Sequence, residues 1–331
     1  MGLGRIIRSG RRDRAEDAKH RLYYAADIHG TESLWRKFLV APRYYRADVL
    51  IMGGDVSGKV IIPVIAEGDG YVATRFGRQE RARTEDELAA LERRIRDNGM
   101  YPYRATPEEV ARIAGLTVAD QEEYFEPLMR ETFDRWLDVA DERLRDTDAL
   151  CYVMAGNDDP PLIEEEIRNA KHVLPCDEAI VEFGSYTMIS VGHSNQTPWH
   201  TRRELQEDEL YRRISALAEQ VTDFSRCIFN LHVPPYDSQL DIAAELDGEF
   251  NQVRVGGEPK LTPVGSTAVR EAIERYQPLL SLHGHIHESP GAVRIGRTLC
   301  INPGSEYHTG RIQGCLIDLR GERITHQFVV G

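Results

Sequence analysis

Five short apolar runs in the chain each end in an aspartate, an asparagine or a histidine, with a glycine or proline beside it. Continuous apolar runs of this length are typical of strands that are buried on both faces of a sheet. Helical patterns lie between the runs, and this alternation of strand and helix favours an α/β fold. The runs are RLYYAADIHG (21–30), ADVLIMGGDVSG (47–58), ALCYVMAGNDDPP (149–161), CIFNLHVPP (227–235) and LLSLHGHIHESPG (279–291), and the helical patterns span 32–40, 161–170, 202–221 and 265–276.

Further strand patterns at 179–183 and 186–191, followed by three more after residue 290, predict a second sheet packed on the first. The fold class that we predict is therefore an α/β, or α+β, sandwich: two packed mixed β-sheets flanked by helices. In open α/β sheets, ligands bind beyond the carboxyl ends of the strands. All five polar clusters lie at such ends, so their shared position predicts one common site.

Residues 59–148 interrupt the alternation and predict an insertion in the domain. VIIPVIAEGDGYVATRFG (60–77) has the pattern of a hairpin that turns at Gly68–Gly70, and helical patterns follow it. The insertion is as compatible with a role in packing alone as with a cap over the site. We predict a flexible N-terminal segment at 1–20 and a single domain at 21–331 that carries this insertion at about 59–148.

The formal net charge of −13 over 331 residues disfavours the binding of nucleic acid. It remains compatible with a small phosphorylated substrate that is held by a local positive centre. Five separated cysteines without a CxxC pair favour a reducing compartment, and no apolar run approaches the length of a membrane span. We therefore expect a cytoplasmic protein without membrane association, and the sequence leaves the oligomeric state open.

The polar residues at the strand ends are candidate metal ligands. Carboxylates, an amide oxygen and imidazoles, without a thiolate, suit divalent ions such as Mn, Fe or Zn. An ion that keeps a position open for water takes three or four protein ligands, so seven groups indicate two ions that share one carboxylate. The seven candidates are Asp27, His29, Asp55, Asn157, His232, His285 and His287.

The spacing of these residues predicts how they reach the ions. Residues i and i+2 of an extended segment face the same side, so we expect Asp27 and His29 to reach one ion together. A slight turn after the last strand would send His285 and His287 to different ions. His283 is expected to pack or to hydrogen-bond near the ligands. A lone HxH pair is more often structural, but five coincident clusters favour ligation.

The motifs D-x-H, G-D-x-x-G, G-N-x-D, H and G-H-x-H, in this order, resemble those of the calcineurin-like metallophosphoesterase superfamily. The resemblance covers about residues 21–319 apart from the insertion, and NPGSEY (302–307) is also similar. It implies a four-layer sandwich and a dinuclear metal centre. It further implies that Asp27, His29 and His287 hold the first ion, that Asn157, His232 and His285 hold the second, and that Asp55 bridges the two.

The resemblance implies hydrolysis of a phosphoester, in which a hydroxide that bridges the ions attacks phosphorus. We interpret the chain as a phosphodiesterase that acts on a small nucleotide-like or similar substrate. The alternatives are a nuclease of the same superfamily, which the acidic charge disfavours, and a catalytically silent scaffold, which the complete ligand set disfavours. The candidate catalytic residues are Asp55, Asn157, Asp158 and His232.

Asp158 stands where many members of the superfamily carry a histidine that helps the leaving group to depart. It can act as a substitute acid with a raised pKa, or it can be inert. We interpret Asp158 as inert, because two nearby cations would depress the pKa of a carboxylate. The adjacent Asp159 is interpreted as a residue that supports the ligands through hydrogen bonds.

Overall fold

Two β-sheets that pack face to face form the centre of the protein. The structure is a computed structural model that describes residues 6–8 and 18–331. The first sheet has six strands in the order Arg323–Val330, Gln313–Arg320, His20–Ala25, Val49–Gly53, Leu150–Met154 and Leu174–Pro175. The second sheet has seven strands in the order Ile6–Arg8, Ala179–Phe183, Tyr186–Val191, Cys227–Leu231, Leu280–Leu282, Thr298–Asn302 and Gly291–Ile295.

Helices cover the outer faces of both sheets, and the predicted sandwich of two mixed sheets flanked by helices is thereby confirmed. One apolar cluster joins the first sheet to its helices, and another joins the second sheet to its own. The helices on the first sheet are Glu32–Phe38, Ala41–Tyr44, Val118–Leu144 and Pro161–Asn169, and those on the second sheet are Glu207–Ala218 and Thr267–Tyr276.

Alternation along the strand His20–Ala25 shows why the runs are apolar throughout. Tyr23 and Ala25 belong to the cluster that faces the helices, whereas Leu22 and Tyr24 belong to the cluster between the sheets. Each of these four side chains is at most 1% exposed. Because successive side chains on a strand point to opposite faces, a continuous apolar run fits a sheet that is covered on both sides.

Parallel pairing brings the carboxyl ends of the central strands to one edge of the sandwich. In the first sheet, His20–Ala25 and Leu150–Met154 both run parallel to the strand Val49–Gly53 between them. In the second sheet, Cys227–Leu231 runs parallel to its neighbour Leu280–Leu282. The loops that follow these strands therefore meet, and these loops carry the predicted ligands.

The insertion builds a sheet of its own. The predicted hairpin is present, since Val60–Glu67 pairs antiparallel with Gly70–Arg75. The strand Met100–Ala105, which the sequence pattern did not predict, pairs parallel with residues 60–65. The four strands lie in the order Arg78–Ala82, Gly70–Arg75, Val60–Glu67 and Met100–Ala105, and the helix Glu85–Arg96 packs on them through Leu88, Leu91 and Ile95.

Threonine caps stand at the starts of two helices of the insertion. Thr84 accepts a hydrogen bond from the amide of Glu87 at the start of Glu85–Arg96, at 3.2 Å. Thr106 forms a capping box with Glu109 at the start of Pro107–Ala114. Each helix therefore satisfies backbone donors of its first turn within its own sequence.

The helix Val118–Leu144 links the insertion to the main domain. It contains Pro127, and its C-terminal half lies in the core beside the first sheet. The indole rings of Trp35 and Trp136 stack there, with 5.7 Å between their centroids and 12° between their planes. The predicted boundary of the insertion at residue 148 thus lies just after this helix. The C-terminal half of the helix packs as part of the main core.

Much of the N-terminal segment that was predicted to be flexible lies outside the described residues, namely 1–5 and 9–17. Ile6–Arg8 pairs parallel with residues 180–182 at the edge of the second sheet.

Within the described part of the chain, no helix has both the length and the apolar character needed to cross a bilayer. The remaining elements are the paired strands Ser194–Asn195 with Glu204–Leu205, Ile242–Ala244 with Leu261–Pro263 and Arg254–Val255 with Glu258–Pro259, and the 3-10 helices Phe224–Arg226 and Tyr307–Thr309.

Candidate metal centre

The loops at the carboxyl ends of the central strands bring the seven predicted ligands into one crevice. Two sets of three residues each have ligand atoms within 4.8 Å of one another, and a third set, His29, Asp55 and Asp158, meets the same condition. The seventh residue, Asn157, joins the second set, because its Oδ1 lies 3.0 Å from Nε2 of His232. The first set is Asp27, His29 and His287, and the second is Asp55, His232 and His285.

Four of these residues have left-handed backbone conformations, with φ of 58° at Asp27, 39° at His29, 52° at Asp55 and 65° at His285. Residues other than glycine adopt this region rarely, and each instance costs on the order of 1–3 kcal/mol. The predicted extended conformation at 27–29 is therefore wrong. The chain turns at both residues, because their amides donate hydrogen bonds of 3.0 Å to the carbonyls of Gly54 and Asp55 respectively.

The first set places two imidazole nitrogens against a buried carboxylate. Nε2 of His29 lies 3.1 Å from Nε2 of His287, which in turn lies 3.5 Å from Oδ1 of Asp27. The ring of Tyr307 packs against the ring of His29, with 4.7 Å between their centroids. Two nitrogens and an oxygen that face one another in this way form a donor set suited to a cation.

In the second set, hydrogen bonds made behind the ligands fix which atoms face the crevice. Nδ1 of His232 lies 2.8 Å from the carbonyl of Gly53, to which it donates, so Nε2 is free to face Asn157. The side-chain amide of Asn157 donates to Oγ1 of Thr201 at 2.8 Å, which leaves Oδ1 for the crevice. Both ligands are thus oriented before any ion binds.

Asp55 lies between the two sets. One oxygen atom of this carboxylate, Oδ2, is 3.7 Å from Nε2 of His29 and 3.5 Å from Nε2 of His232. Asp55 and Asp27 are 2% and 0% exposed, respectively. Buried carboxylates require a compensating positive charge, so this donor set fits two cations that share Asp55.

Among the groups of the protein itself, the protonated imidazole of His232 supplies the positive charge that compensates the buried carboxylates. Burial opposes the charged form of His232, but the Asp55 carboxylate outweighs it and raises the pKa of His232 to about 10. Burial alone would raise the pKa of Asp55, yet the charge of His232 holds it well below its usual value. Burial lowers the pKa of His29 to about 3 and that of His285 to about 4, so both are neutral and suited to bind a metal at pH 7.

Asp159 and His283 hold the ligand loops in place. Asp159 accepts four hydrogen bonds of 2.6–3.0 Å, from the hydroxyl of Ser57 and from the backbone amides of Val56, Ser57 and Gly156. Nδ1 of His283 lies 2.9 and 3.1 Å from the carbonyls on either side of His232. The hydrogen-bonding roles predicted for Asp159 and His283 are therefore confirmed.

Two residues of the crevice, Thr201 and Lys59, were not predicted, and Tyr307 was noted only as the last residue of NPGSEY, without a role at the site. The ammonium group of Lys59 forms an ion pair with Asp158. Lys59 directly follows the G-D-x-x-G motif, and this position was an available signal. Thr201 reaches the site only through tertiary packing, which no local sequence pattern indicates.

Neighbouring groups shift the pKa of Asp158 in opposite directions. Burial and the neighbouring carboxylate of Asp55 raise the pKa of Asp158 to about 7, whereas Lys59 favours the ionised form. The amide of Asp158 also donates to Oδ1 of Asp55 at 3.0 Å. Asp158 is therefore tied to the candidate bridging ligand through its backbone and to a cation through its side chain.

Comparisons with known proteins agree with this architecture. No protein-family model matches the chain. Uncharacterized protein MJ1162 of Methanocaldococcus jannaschii is 28% identical over 180 residues, which make up 53% of this chain and 73% of that protein. One crystal structure aligns over 94% of this chain and 99% of its own, with a TM-score of 0.57 and 15% identity. The protein TT1561 of Thermus thermophilus aligns over the same shares, with a TM-score of 0.50 and 14% identity.

These likenesses concern the fold alone. The fold that the resemblance implies, two packed mixed sheets flanked by helices, is therefore confirmed. The clusters of aspartate and histidine side chains can hold metal ions.

A substitution at Gly156 tests whether metal binding depends on the position of the Asp55 carboxylate. A Cβ atom on Gly156 would lie 2.2 Å from Oδ1 and 2.4 Å from the backbone nitrogen of Asp55. Gly156→Ala should therefore displace this carboxylate and weaken Mn²⁺ binding by about 10–100-fold, as changes around metal ligands typically do. Isothermal titration calorimetry of the purified protein measures the affinity. Gly248→Ala is the matched control, since a Cβ there meets nothing within 4 Å; equal affinities for both variants would contradict this geometry.

Metal binding should also depend on pH through His232. With a pKa of about 10, this imidazole carries a proton at pH 7 in the metal-free protein, and the proton must leave before the nitrogen can bind a metal. Because proton and metal compete, and because Asp27 also raises the pKa of His287 against the effect of burial, the affinity for Mn²⁺ should rise by at least about tenfold per pH unit between about pH 6 and 8. Calorimetry in two buffers of different ionisation enthalpy counts the protons released. Release of none at pH 7 would show that His232 is not a ligand.

Proposed function

We propose that the chain is a metal-dependent phosphoesterase, that its substrates are phosphodiesters, and that it uses two divalent ions, Mn, Fe or Zn. The observation that carries the proposal is the single oxygen of Asp55 that faces His29 on one side and His232 on the other. Asp27, His29 and His287 would hold one ion, Asn157, His232 and His285 the other, and Asp55 both.

A bound pair of ions supplies two things to phosphoester hydrolysis: a water of lowered pKa and compensation for the negative charge on the phosphoryl oxygens. The chain itself holds the ligands rigidly and keeps solvent away from their carboxylates. Lys59 adds a positive charge at the rim, where its side chain is 49% exposed beside Asp158. A lysine in this position can contact a phosphate oxygen of the substrate.

The proposal includes a cytoplasmic location, which rests on the cysteines. All five are buried and free of disulfide bonds. Disulfides are rare in reducing compartments, where buried cysteines serve as small apolar residues. The net charge of −13 supports a small phosphorylated substrate over a nucleic acid.

An activity panel with the variant Asp55→Asn tests the function. The substrates are bis(4-nitrophenyl) phosphate, 4-nitrophenyl phosphate, and single-stranded and duplex DNA, each with Mn, Fe, Co, Zn or Mg. We expect metal-dependent hydrolysis of the diester and a loss of at least about 100-fold in Asp55→Asn, because both ions depend on this carboxylate. Asp69→Asn, in an exposed hairpin turn, is the control. Unchanged turnover in Asp55→Asn would refute the bridging role, and metal binding without turnover would favour the silent scaffold.

The role of Asp158 is tested by its own substitution. If the ions and Lys59 keep this carboxylate ionised, it cannot protonate a leaving group, and Asp158→Asn should lower kcat by less than about fivefold. Nitrophenyl diesters, whose leaving groups need no proton, should then be hydrolysed faster than alkyl monoesters. Equal rates for both substrate types, or a loss of about 100-fold in Asp158→Asn, would identify Asp158 as the general acid.

A further inference from the structure

A cavity of about 770 Å³ opens beside the candidate metal centre. Lys59, Asp158 and Thr201, which contact one another or the ligands at the centre, line one end of it. The rest of the wall comes from the helices Pro107–Ala114 and Val118–Leu144, from the strands Val60–Glu67 and Met100–Ala105, and from neighbouring loops. The volume lies in the range of pockets that enclose most of a drug-sized ligand. A phosphate at the metal centre would therefore place its organic substituent in this cavity.

The wall beyond the metal centre is mainly apolar. Val118 is 74% exposed, Trp199 64% and Val60 46%, so three of its large apolar side chains are open to solvent. Clustered apolar side chains that remain exposed mark a surface that binds an apolar partner. Other apolar residues in the wall are Ile61, Val110, Ile113, Phe125 and Met129.

Several polar groups in the wall already have partners within the protein. Arg202 forms an ion pair of 2.5 Å with Glu122. The side-chain amide of Gln121 donates to the carbonyls of Ile113 and Leu116, at 3.2 Å each. A nucleobase has several donors and acceptors that lose free energy when they are buried without partners. A hydrocarbon chain has none, and it suits a wall of this kind.

We propose that the cavity binds an alkyl or acyl chain of the substrate, so that the natural substrate is an amphiphilic phosphodiester. This inference rests on the proposed function and narrows its substrate class. It replaces the nucleotide-like substrate expected from the sequence. That expectation was formed from the motifs alone, whereas the insertion and the loop at 199–202 supply the cavity wall.

Two diesters with the same leaving group test the proposal: 4-nitrophenyl methyl phosphate and 4-nitrophenyl hexyl phosphate, with the full chain loaded with Mn²⁺. Complete burial of one CH₂ group contributes about fourfold to binding. We expect kcat/KM for the hexyl ester to exceed that for the methyl ester by at least about tenfold, even if only part of the chain is buried. Equal values for the two esters would overturn the proposal and leave the proposed function intact.

Two exposed valines provide a matched pair of variants. Val118→Asp puts a charge into the cavity wall, at a helix start where an acidic residue favours folding. The ratio of hexyl to methyl kcat/KM should fall by at least about fourfold, which is the contribution of one buried CH₂ group. Val255→Asp changes a valine that is 66% exposed and outside the wall, and it should keep the wild-type ratio. An unchanged ratio in Val118→Asp would count against the cavity as the binding site.

Measurements of binding without turnover distinguish a failure of this proposal from a failure of the proposed function. Calorimetry with hexyl phosphate and methyl phosphate should show tighter binding of the hexyl compound, with a negative heat-capacity change that reports apolar burial. If neither diester is hydrolysed with any metal, yet hexyl phosphate still binds more tightly, the hydrolytic function fails and the apolar ligand class stands. Equal affinities of the two phosphates would overturn the apolar cavity itself.

Discussion

The burial of two carboxylates at one end of the sandwich is the constraint on which the rest of the site depends. Asp27 and Asp55 are almost completely enclosed, and an enclosed carboxylate is stable only beside positive charge and hydrogen-bond donors. The imidazole nitrogens face these carboxylates rather than the solvent. Each carboxylate also accepts a backbone amide, from His285 for Asp27 and from Asp158 for Asp55. The ligand loops are therefore held to one another by the same groups that would hold the ions.

The ligand loops lie so close together that glycine is required where the backbone of one loop passes a side chain of another loop. A Cβ atom on Gly284 would lie 2.4 Å from Oδ2 of Asp27 and would clash with it. A Cβ atom on Gly156 would clash with Asp55 in the same way. The left-handed conformations of the ligands add strain to these crowded loops. The strands behind them, buried on both faces, supply the packing that maintains this strain.

The fold class and the convergence of the candidate ligands could be predicted, because both follow from residue types at the ends of apolar runs. The local conformations could not, since nothing in an aspartate at position 27 or a histidine at 285 demands a positive φ. The strand Met100–Ala105 escaped prediction for a related reason: Pro102 argues against a strand, yet this strand lies at a sheet edge, where proline is tolerated. Thr201 escaped because its partner Asn157 is 44 residues away.

The helix Val118–Leu144 has a consequence for how such a protein can diversify. Its first turns border the cavity, and its last turns lie in the main core around Trp136. Pro127, near the middle, lacks the amide that a regular helix would use and separates the two regions. Sequence changes before the proline can alter ligand preference while the core stays unaltered. The two ends of this one helix thus serve different parts of the protein, the first a ligand cavity and the second the main core.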